Sequence, residues 1–137
     1  MENPINILVA DDMAFMRNIL MKELRVYGYD NVLEASNGTD ALKKFQLNKV
    51  HMAMLDINMP NKNGVEVLKE IRSSDSDVFV VMISADNSTD VIKSIIALRA
   101  NAFVVKPYST IKIHSIIEKF NQHLLASGLS PAKRTYS

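Results

Sequence analysis

The sequence predicts an α/β protein in which one parallel β-sheet lies between two layers of helices. Five short apolar segments alternate with five segments of helical periodicity, and one apolar segment is continuous and rich in β-branched residues. Parallel strands need long crossovers, which helices supply, and strands covered on both faces are apolar throughout. The chain has 137 residues, 47% of them hydrophobic, which suits one domain of this kind.

The five apolar segments are the predicted strands. Residues 5–10 end at an Asp-Asp pair, and residues 51–55 end at Asp56. Residues 78–83 read Val-Phe-Val-Val-Met-Ile, as expected of a strand that is buried on both faces. Residues 32–35 and 102–105 are the two remaining candidates.

The intervening segments have helical spacing. In residues 13–27, apolar side chains recur at spacings of three and four, and Gly28 follows where a C-terminal cap is expected. The other predicted helices cover residues 40–47, 65–72, 88–99 and 109–125. Residues 127–137 contain Gly, Pro and basic residues without an apolar period. We therefore expect a domain over residues 1–126 and a flexible tail over residues 127–137.

Composition excludes several classes of function. A formal net charge of +1 gives no electrostatic reason to expect nucleic acid as a partner. Without cysteine there is neither a disulfide framework nor thiolate chemistry. The N-terminus lacks a signal-peptide pattern, and the apolar runs are too short to span a bilayer. We expect a cytoplasmic monomer that does not insert into membranes.

Polar residues follow four of the predicted strands. They are Asp11 with Asp12, Asp56, Ser84 and Lys106. Each is unremarkable alone, since an Asp pair after a strand is most often a turn or a helix cap. In an open parallel sheet, however, the carboxyl ends of the strands form the ligand-binding edge. Three carboxylates gathered there need a cation, and oxygen ligands favour Mg²⁺. An added ammonium and a hydroxyl donor make a minimal phosphoryl-transfer site.

Four motifs in this order resemble the receiver domains of two-component response regulators. They are residues 9–12 (Val-Ala-Asp-Asp), residues 55–60 (Leu-Asp-Ile-Asn-Met-Pro) with Gly64, residues 83–85 (Ile-Ser-Ala) and residues 103–107 (Phe-Val-Val-Lys-Pro). The resemblance runs from about residue 5 to residue 125 and is closest to single-domain chemotaxis-type members. It implies a flavodoxin-like three-layer sandwich with strand order 2-1-3-4-5.

The resemblance also implies a role for each site residue. Asp56 is the expected phosphoacceptor, served by a sensor histidine kinase, a phosphotransfer protein or a small phosphodonor. Mg²⁺ is expected on Asp12, Asp56 and the carbonyl oxygen of Asn58, with Asp11 acting through water. Lys106 is expected to contact the phosphoryl oxygens.

The switch is also implied by the resemblance. Ser84 is expected to bond the phosphoryl group while Phe103 turns inward, and Pro107 is expected to follow a cis peptide bond. Asn58 and Asp86 occupy positions that tune dephosphorylation in the family. We expect Asp86 to help position water, so that the phosphorylated state is short-lived.

The expected output surface combines the fourth helix, the fifth strand and the last helix. Residues 88–99 carry a wider apolar arc than one buried face requires, although a well-buried helix explains this equally well. The candidate contacts are Ile92, Ile96, Arg99, Ala100, Phe103 and Lys119.

The motifs also bear on two other functions. A Mg²⁺-dependent phosphatase of the haloacid-dehalogenase type has an Asp-x-Asp motif after its first strand, and residues 11–13 do not match it. A receiver cut from a longer transcription factor would be followed by an output domain, and only a short tail follows residue 125. We therefore expect a switch that catalyses only its own phosphorylation and dephosphorylation. Flagellar motor control, pilus-based motility and a phosphate-sink role are all consistent with the resemblance.

Overall fold

Strands and helices alternate throughout the computed structural model, which describes residues 4–75 and 77–134. The elements are β1 (Ile7–Ala10), α1 (Ala14–Val26), β2 (Val32–Ala35), α2 (Gly38–Leu47), β3 (Met52–Asp56), α3 (Gly64–Ser74), β4 (Phe79–Ser84), α4 (Thr89–Ala97), β5 (Ala102–Val105) and α5 (Thr110–Ala126). Each paired strand is parallel to its neighbour, and the order is β2-β1-β3-β4-β5. The predicted fold class and strand order are therefore confirmed.

The sheet separates two apolar clusters because successive side chains of a strand point to opposite faces. In β1, Ile7 and Val9 pack with α1 and α5, whereas Leu8 and Ala10 pack with α2, α3 and α4. Every residue of β3 and β4 is buried. Of the buried polar residues among those described, Asp11, Asp56 and Ser84 lie at the carboxyl edge of the sheet.

Side-chain caps begin four of the helices. Asn37, Ser88 and Ser109 each accept a hydrogen bond from a backbone N–H in the first turn of the following helix. Asn63 forms a reciprocal capping box with Glu66 at the start of α3. These caps satisfy N–H groups that have no partner within the helix. They fix where each loop at the carboxyl edge ends and its helix begins.

Helix boundaries differ from the prediction by up to two residues, and two of the differences have a clear local cause. Helix α2 begins at Gly38, two residues early, because the Asn37 side chain caps it. Helix α4 ends at Ala97, before the predicted residue 99, because Arg99 has a φ of 63° and leaves the helical path. Both shifts arise from local capping and turn geometry, to which apolar spacing is insensitive.

Residues 132–134, part of the segment predicted to be a flexible tail, contact the turn between α1 and β2. The backbone N–H of Ala132 donates to the Tyr29 hydroxyl at 3.2 Å, and Ala132 packs against the adjoining apolar cluster. The Arg134 guanidinium lies 4.9 Å from the centre of the Tyr27 ring. This part of the tail is therefore packed against the domain; residues 135–137 lie outside the described residues.

Within residues 4–75 and 77–134, no helix combines the length and the apolar character that crossing a membrane requires.

Candidate functional site

Three aspartates meet at the carboxyl edge of the sheet. Asp11 and Asp12 follow β1, and Asp56 ends β3, the strand that pairs with β1. One carboxylate oxygen from each lies within 4.8 Å of the other two. Asp11 and Asp56 are almost completely buried, at 1% and 3% exposure, whereas Asp12 is exposed. The fold therefore brings together the three carboxylates that the sequence predicted as a cluster.

Lys106 is the cation that the structure places beside this acidic group. Its ammonium nitrogen lies 3.0 Å from Asp11 Oδ2 and 3.4 Å from Asp56 Oδ2. The bond between Lys106 and Pro107 is cis, as the resemblance implied. One ammonium against three ionised carboxylates leaves two negative charges uncompensated. This excess favours the binding of a further cation.

The ionisation of the site reflects this excess of negative charge. Burial, and then the charge of Asp11, raises the pKa of Asp56, although Lys106 opposes the shift. Burial alone would lower the pKa of Lys106, but its hydrogen bond to Asp11 and the charge of Asp56 raise it overall. Lys106 is therefore held as an ammonium, and the negative charge of Asp56 is disfavoured.

Ser84 ends β4, beside β3, and is buried at the same edge. Its hydroxyl oxygen accepts the backbone N–H of Asp86 at 2.9 Å, which leaves the hydroxyl hydrogen available to another acceptor. The Asp86 carboxylate accepts the backbone N–H of Ser88 at 2.8 Å. Asp86 thus stabilises the turn that leads into α4, and its side chain is exposed to solvent.

The loop after β3 folds closely over the end of that strand. The backbone of Asn58 opposes the rise in the pKa of Asp56, although burial has the larger effect, and Asn58 is exposed. The Gly64 N–H donates to the Ile57 carbonyl oxygen at 2.9 Å. A Cβ atom at Gly64 would lie 2.9 Å from Ile57 Cα and would also collide with the Asp56 carbonyl oxygen. Glycine is therefore required for this loop to close beside Asp56.

Sequence reasoning missed Tyr108, which follows Lys106-Pro107. Among the described residues, its hydroxyl is the buried side-chain polar atom without a hydrogen-bond partner. Burial raises the pKa of Tyr108 to about 12, and the charges of Asp11 and Asp56 add to the shift. An aromatic residue next to a site motif was the available signal. The Tyr108 hydroxyl interacts electrostatically with Asp11 and Asp56. The position of Tyr108 in the sequence does not show this, because it depends on how the side chain packs.

The donor set fits a divalent cation. Carboxylate oxygens are the ligands that Mg²⁺ prefers, and it commonly uses one or two carboxylates with its remaining positions held by water. The exposure of Asp12 leaves the group open to solvent, as such an aquated ion requires. The two uncompensated negative charges match its charge.

Three residues of the predicted output surface line one cavity. Ile96, Ala100 and Phe103 line a cavity of about 150 Å³, and Ile96 is 67% exposed. Arg99 and Lys119 are exposed, and Ile92 is half-buried, but these three do not line that cavity. Ile111 on α5 was not predicted and is 81% exposed.

Comparison with known proteins defines the class to which this fold and site belong. The family model of the response regulator receiver domain matches residues 7–118. The chain therefore belongs to the response regulator receiver domain family.

Curated relatives include two chemotaxis proteins named CheY. The chain is 34% identical to CheY of Bacillus subtilis over 113 residues, covering 82% of this chain and 94% of that protein. It is 31% identical to CheY of Thermotoga maritima over 116 residues, covering 85% and 97%.

Solved structures show the same fold. A CheY-like receiver domain protein from Methanospirillum hungatei superposes with a TM-score of 0.82 at 22% identity, covering 90% of this chain and 99% of that one. CheY in the CheX–CheY–BeF₃–Mg²⁺ complex from Borrelia burgdorferi superposes with a TM-score of 0.80 at 28% identity, covering 85% and 88%.

Proposed function

We propose that this chain is a phosphorylation-controlled switch whose phosphoacceptor is Asp56. The observation that carries the proposal is the position of Asp56, a buried carboxylate 3.4 Å from the Lys106 ammonium and clustered with Asp11 and Asp12. Receiver domains share phosphorylation and Mg²⁺ dependence as family properties, and this cluster has the residues that both require.

In the proposed reaction, an Asp56 carboxylate oxygen attacks the phosphorus atom of the donor. A new O–P bond forms while the bond from phosphorus to the donor's nitrogen or oxygen breaks, and the donor keeps that electron pair. Asp12, Asp56 and the Asn58 carbonyl oxygen would hold Mg²⁺, with Asp11 acting through water, and the bound ion would supply positive charge that favours ionised Asp56 and the transferred phosphoryl group. Lys106 supplies a second positive charge and a hydrogen-bond donor.

Ser84 then links the site to the surface. Its hydroxyl hydrogen is available, so it can donate to a phosphoryl oxygen on Asp56. We infer that this bond draws the β4–α4 loop inward and that Phe103, half-buried behind it, turns further in. The surface formed by Ile92, Ile96, Arg99, Ala100, Phe103 and Lys119 would thereby change for a downstream protein. Asn58 and Asp86 are proposed to tune the lifetime of the phosphorylated state.

The proposed partners are a sensor histidine kinase or phosphotransfer protein upstream and a target protein downstream. A cytoplasmic role in chemotaxis-type signalling is supported by the CheY relatives. The proposed activity is confined to the chain's own phosphorylation and autodephosphorylation, and the proposed state is a monomer.

The direct test is intact-mass spectrometry after incubation with acetyl phosphate and Mg²⁺. We expect a phosphoryl mass increment in the wild-type chain and none in Asp56→Asn or in the presence of a chelator. Beryllofluoride binding, followed by NMR, serves as the readout if the phosphorylated state decays before detection.

Two results would contradict the proposal. Absence of both signals in folded wild-type protein would remove the switch function, and the chain would then act as a constitutive binding module. Continuous turnover of an added phosphoester, dependent on Asp56 and Mg²⁺, would instead favour the phosphatase function.

A further inference from the structure

Arg17 joins the acidic group to the neighbouring strand. It lies in the first turn of α1, and its side chain is largely buried, at 16% exposure. Nη1 donates to the Asp11 backbone carbonyl oxygen at 2.7 Å, and Nε donates to Glu34 Oε1 at 3.0 Å. The two ends of one guanidinium thus connect the end of β1 to a side chain of β2.

Glu34 is held through its backbone, while its side chain is 43% exposed. It lies in β2, paired with Val9 of β1, and its backbone carbonyl oxygen accepts a hydrogen bond from the Lys44 ammonium. Lys44 also forms an ion pair with Asp40 at 3.1 Å. Arg17 is therefore anchored on a residue whose backbone is fixed by the sheet on one side and by α2 on the other.

The hydrogen bonds around Asp12 show what this anchor does. The carbonyl of the peptide before Asp12 accepts from Arg17, and the N–H of the peptide after it, at Met13, donates to Asp11 Oδ1 at 2.9 Å. Within the described part of the chain, no hydrogen bond holds the Asp12 side chain itself. The direction of the Asp12 carboxylate therefore depends on the two peptides that flank it.

We propose that Arg17, anchored by Glu34, is a positioning residue that sets the direction of the Asp12 carboxylate toward the cation. The inference rests on the proposed function, since it concerns the same site. A guanidinium suits this role because its two nitrogens reach both acceptors from a planar group, whereas the single ammonium of lysine cannot.

Charge and positioning predict opposite effects of removing Arg17. If the guanidinium acted only as a nearby positive charge, Arg17→Met would reduce repulsion and Mg²⁺ would bind more tightly. If it positions Asp12, the same substitution frees the preceding peptide and Mg²⁺ binds more weakly. The sign of the change in Mg²⁺ affinity therefore separates the two roles.

The experiment is a Mg²⁺ titration of the full chain without a phosphodonor, followed by ¹H–¹⁵N chemical shifts. We expect Arg17→Met to weaken Mg²⁺ binding by about tenfold, the range seen when side chains that orient metal ligands are lost. Arg17→Lys keeps the charge and is expected to weaken binding in the same direction. Lys22→Met, which removes an exposed positive charge from the same helix, is the matched control and should leave affinity within about twofold.

A second readout separates positioning from general destabilisation. With acetyl phosphate, Arg17→Met should increase the Mg²⁺ concentration that gives half-maximal phosphorylation. The factor of this increase should exceed the factor by which the rate at saturating Mg²⁺ falls. Thermal unfolding in the same buffer identifies variants that are folded at the titration temperature. If Arg17→Met is not folded there, Arg17→Lys decides the question.

Unchanged or tighter Mg²⁺ binding in a folded Arg17 variant would overturn the inference while leaving Asp56 phosphorylation intact. A wild-type chain that binds Mg²⁺ but is never phosphorylated would overturn the proposed function and leave the positioning role measurable. A folded wild-type chain that binds no Mg²⁺ would overturn both.

Discussion

At the scale of single residues, the proposed phosphoacceptor Asp56 carries a cost in stability. Burial and the charge of Asp11 raise the pKa of its carboxyl group in the folded state. The folded chain therefore holds the Asp56 proton more tightly than the unfolded chain does. Between the ordinary pKa of about 4 and the raised value, the stability associated with this group falls as the pH increases.

We expect Asp56→Asn to stabilise the Mg²⁺-free protein at pH 7, because it removes a buried charge that is disfavoured there. The gain should appear as a higher free energy of unfolding for Asp56→Asn than for the wild-type chain. It should shrink as the pH falls through the raised pKa. Thermal unfolding in chelator between pH 4 and 8 measures this change.

Added Mg²⁺ provides the control. A ligand that binds only the folded state raises its stability, so Mg²⁺ should stabilise the wild-type chain more than Asp56→Asn. An Asn variant that is less stable than wild type at pH 7 in chelator would show that the ion pair between Asp56 and Lys106 outweighs the burial of charge.

At the scale of elements, the turn between α1 and β2 and the residues after α5 depend on each other. Gly28 has a φ of 89°, a conformation that favours glycine. A Cβ atom there would lie 3.2 Å from Ala132 Cβ and would also collide with the Lys133 carbonyl oxygen. Gly28 therefore serves both the backbone conformation of the turn and the close approach of the chain that follows α5.

These two roles can be separated by a double-mutant cycle. Gly28→Ala should destabilise the full chain by more than it destabilises a chain ending at Ser130. The cost of placing alanine at a positive φ, about 1 kcal/mol in the free energy of unfolding, should be the same in both chains. The cost of the collision with residues 132 and 133 should be absent from the shorter chain. Urea unfolding of the four proteins gives the coupling energy. Equal costs of Gly28→Ala in both lengths would show that residues 131–134 do not pack on the turn in solution.

At the scale of the whole molecule, Arg72 connects segments that are distant in sequence. It is a buried residue in the last turn of α3 and donates to the carbonyl oxygens of Val78 and Arg99 and to Asn101 Oδ1, at 2.7–3.0 Å. It thereby joins α3 to the start of β4 and to the turn between α4 and β5. Burial lowers the pKa of Arg72, and nearby Arg99 adds to the shift, but a guanidinium remains charged.

We expect Arg72→Met to lower the free energy of unfolding by about 2 kcal/mol or more, because it leaves partly buried carbonyl oxygens without donors. Lys69→Met, at an exposed position of the same helix, should change it by no more than about 0.5 kcal/mol. Urea denaturation compares the two variants with wild type. A cost for Arg72→Met as small as that of the control would mean that water replaces the guanidinium.

The sequence alone determined the fold class and the members of the acidic group. Apolar segments of strand length and helical spacing are local signals, and parallel strands bring their carboxyl ends to one edge. Asp11, Asp12, Asp56, Ser84 and Lys106 could therefore be assigned to one site before any distance was known. The strand order was accessible only through the resemblance carried by the motifs, because periodicity does not show which strands are neighbours.

The tertiary structure alone decided the contacts between residues that lack a shared periodic signal. Arg17 bonds Glu34 seventeen positions away, and Ala132 bonds Tyr29 across 103 positions. The unpartnered hydroxyl of Tyr108 was equally inaccessible, because burial of one atom depends on how several elements pack. Sequence patterns report which face of an element is apolar. Side-chain hydrogen bonds depend on angles and distances that are fixed only when the elements pack together.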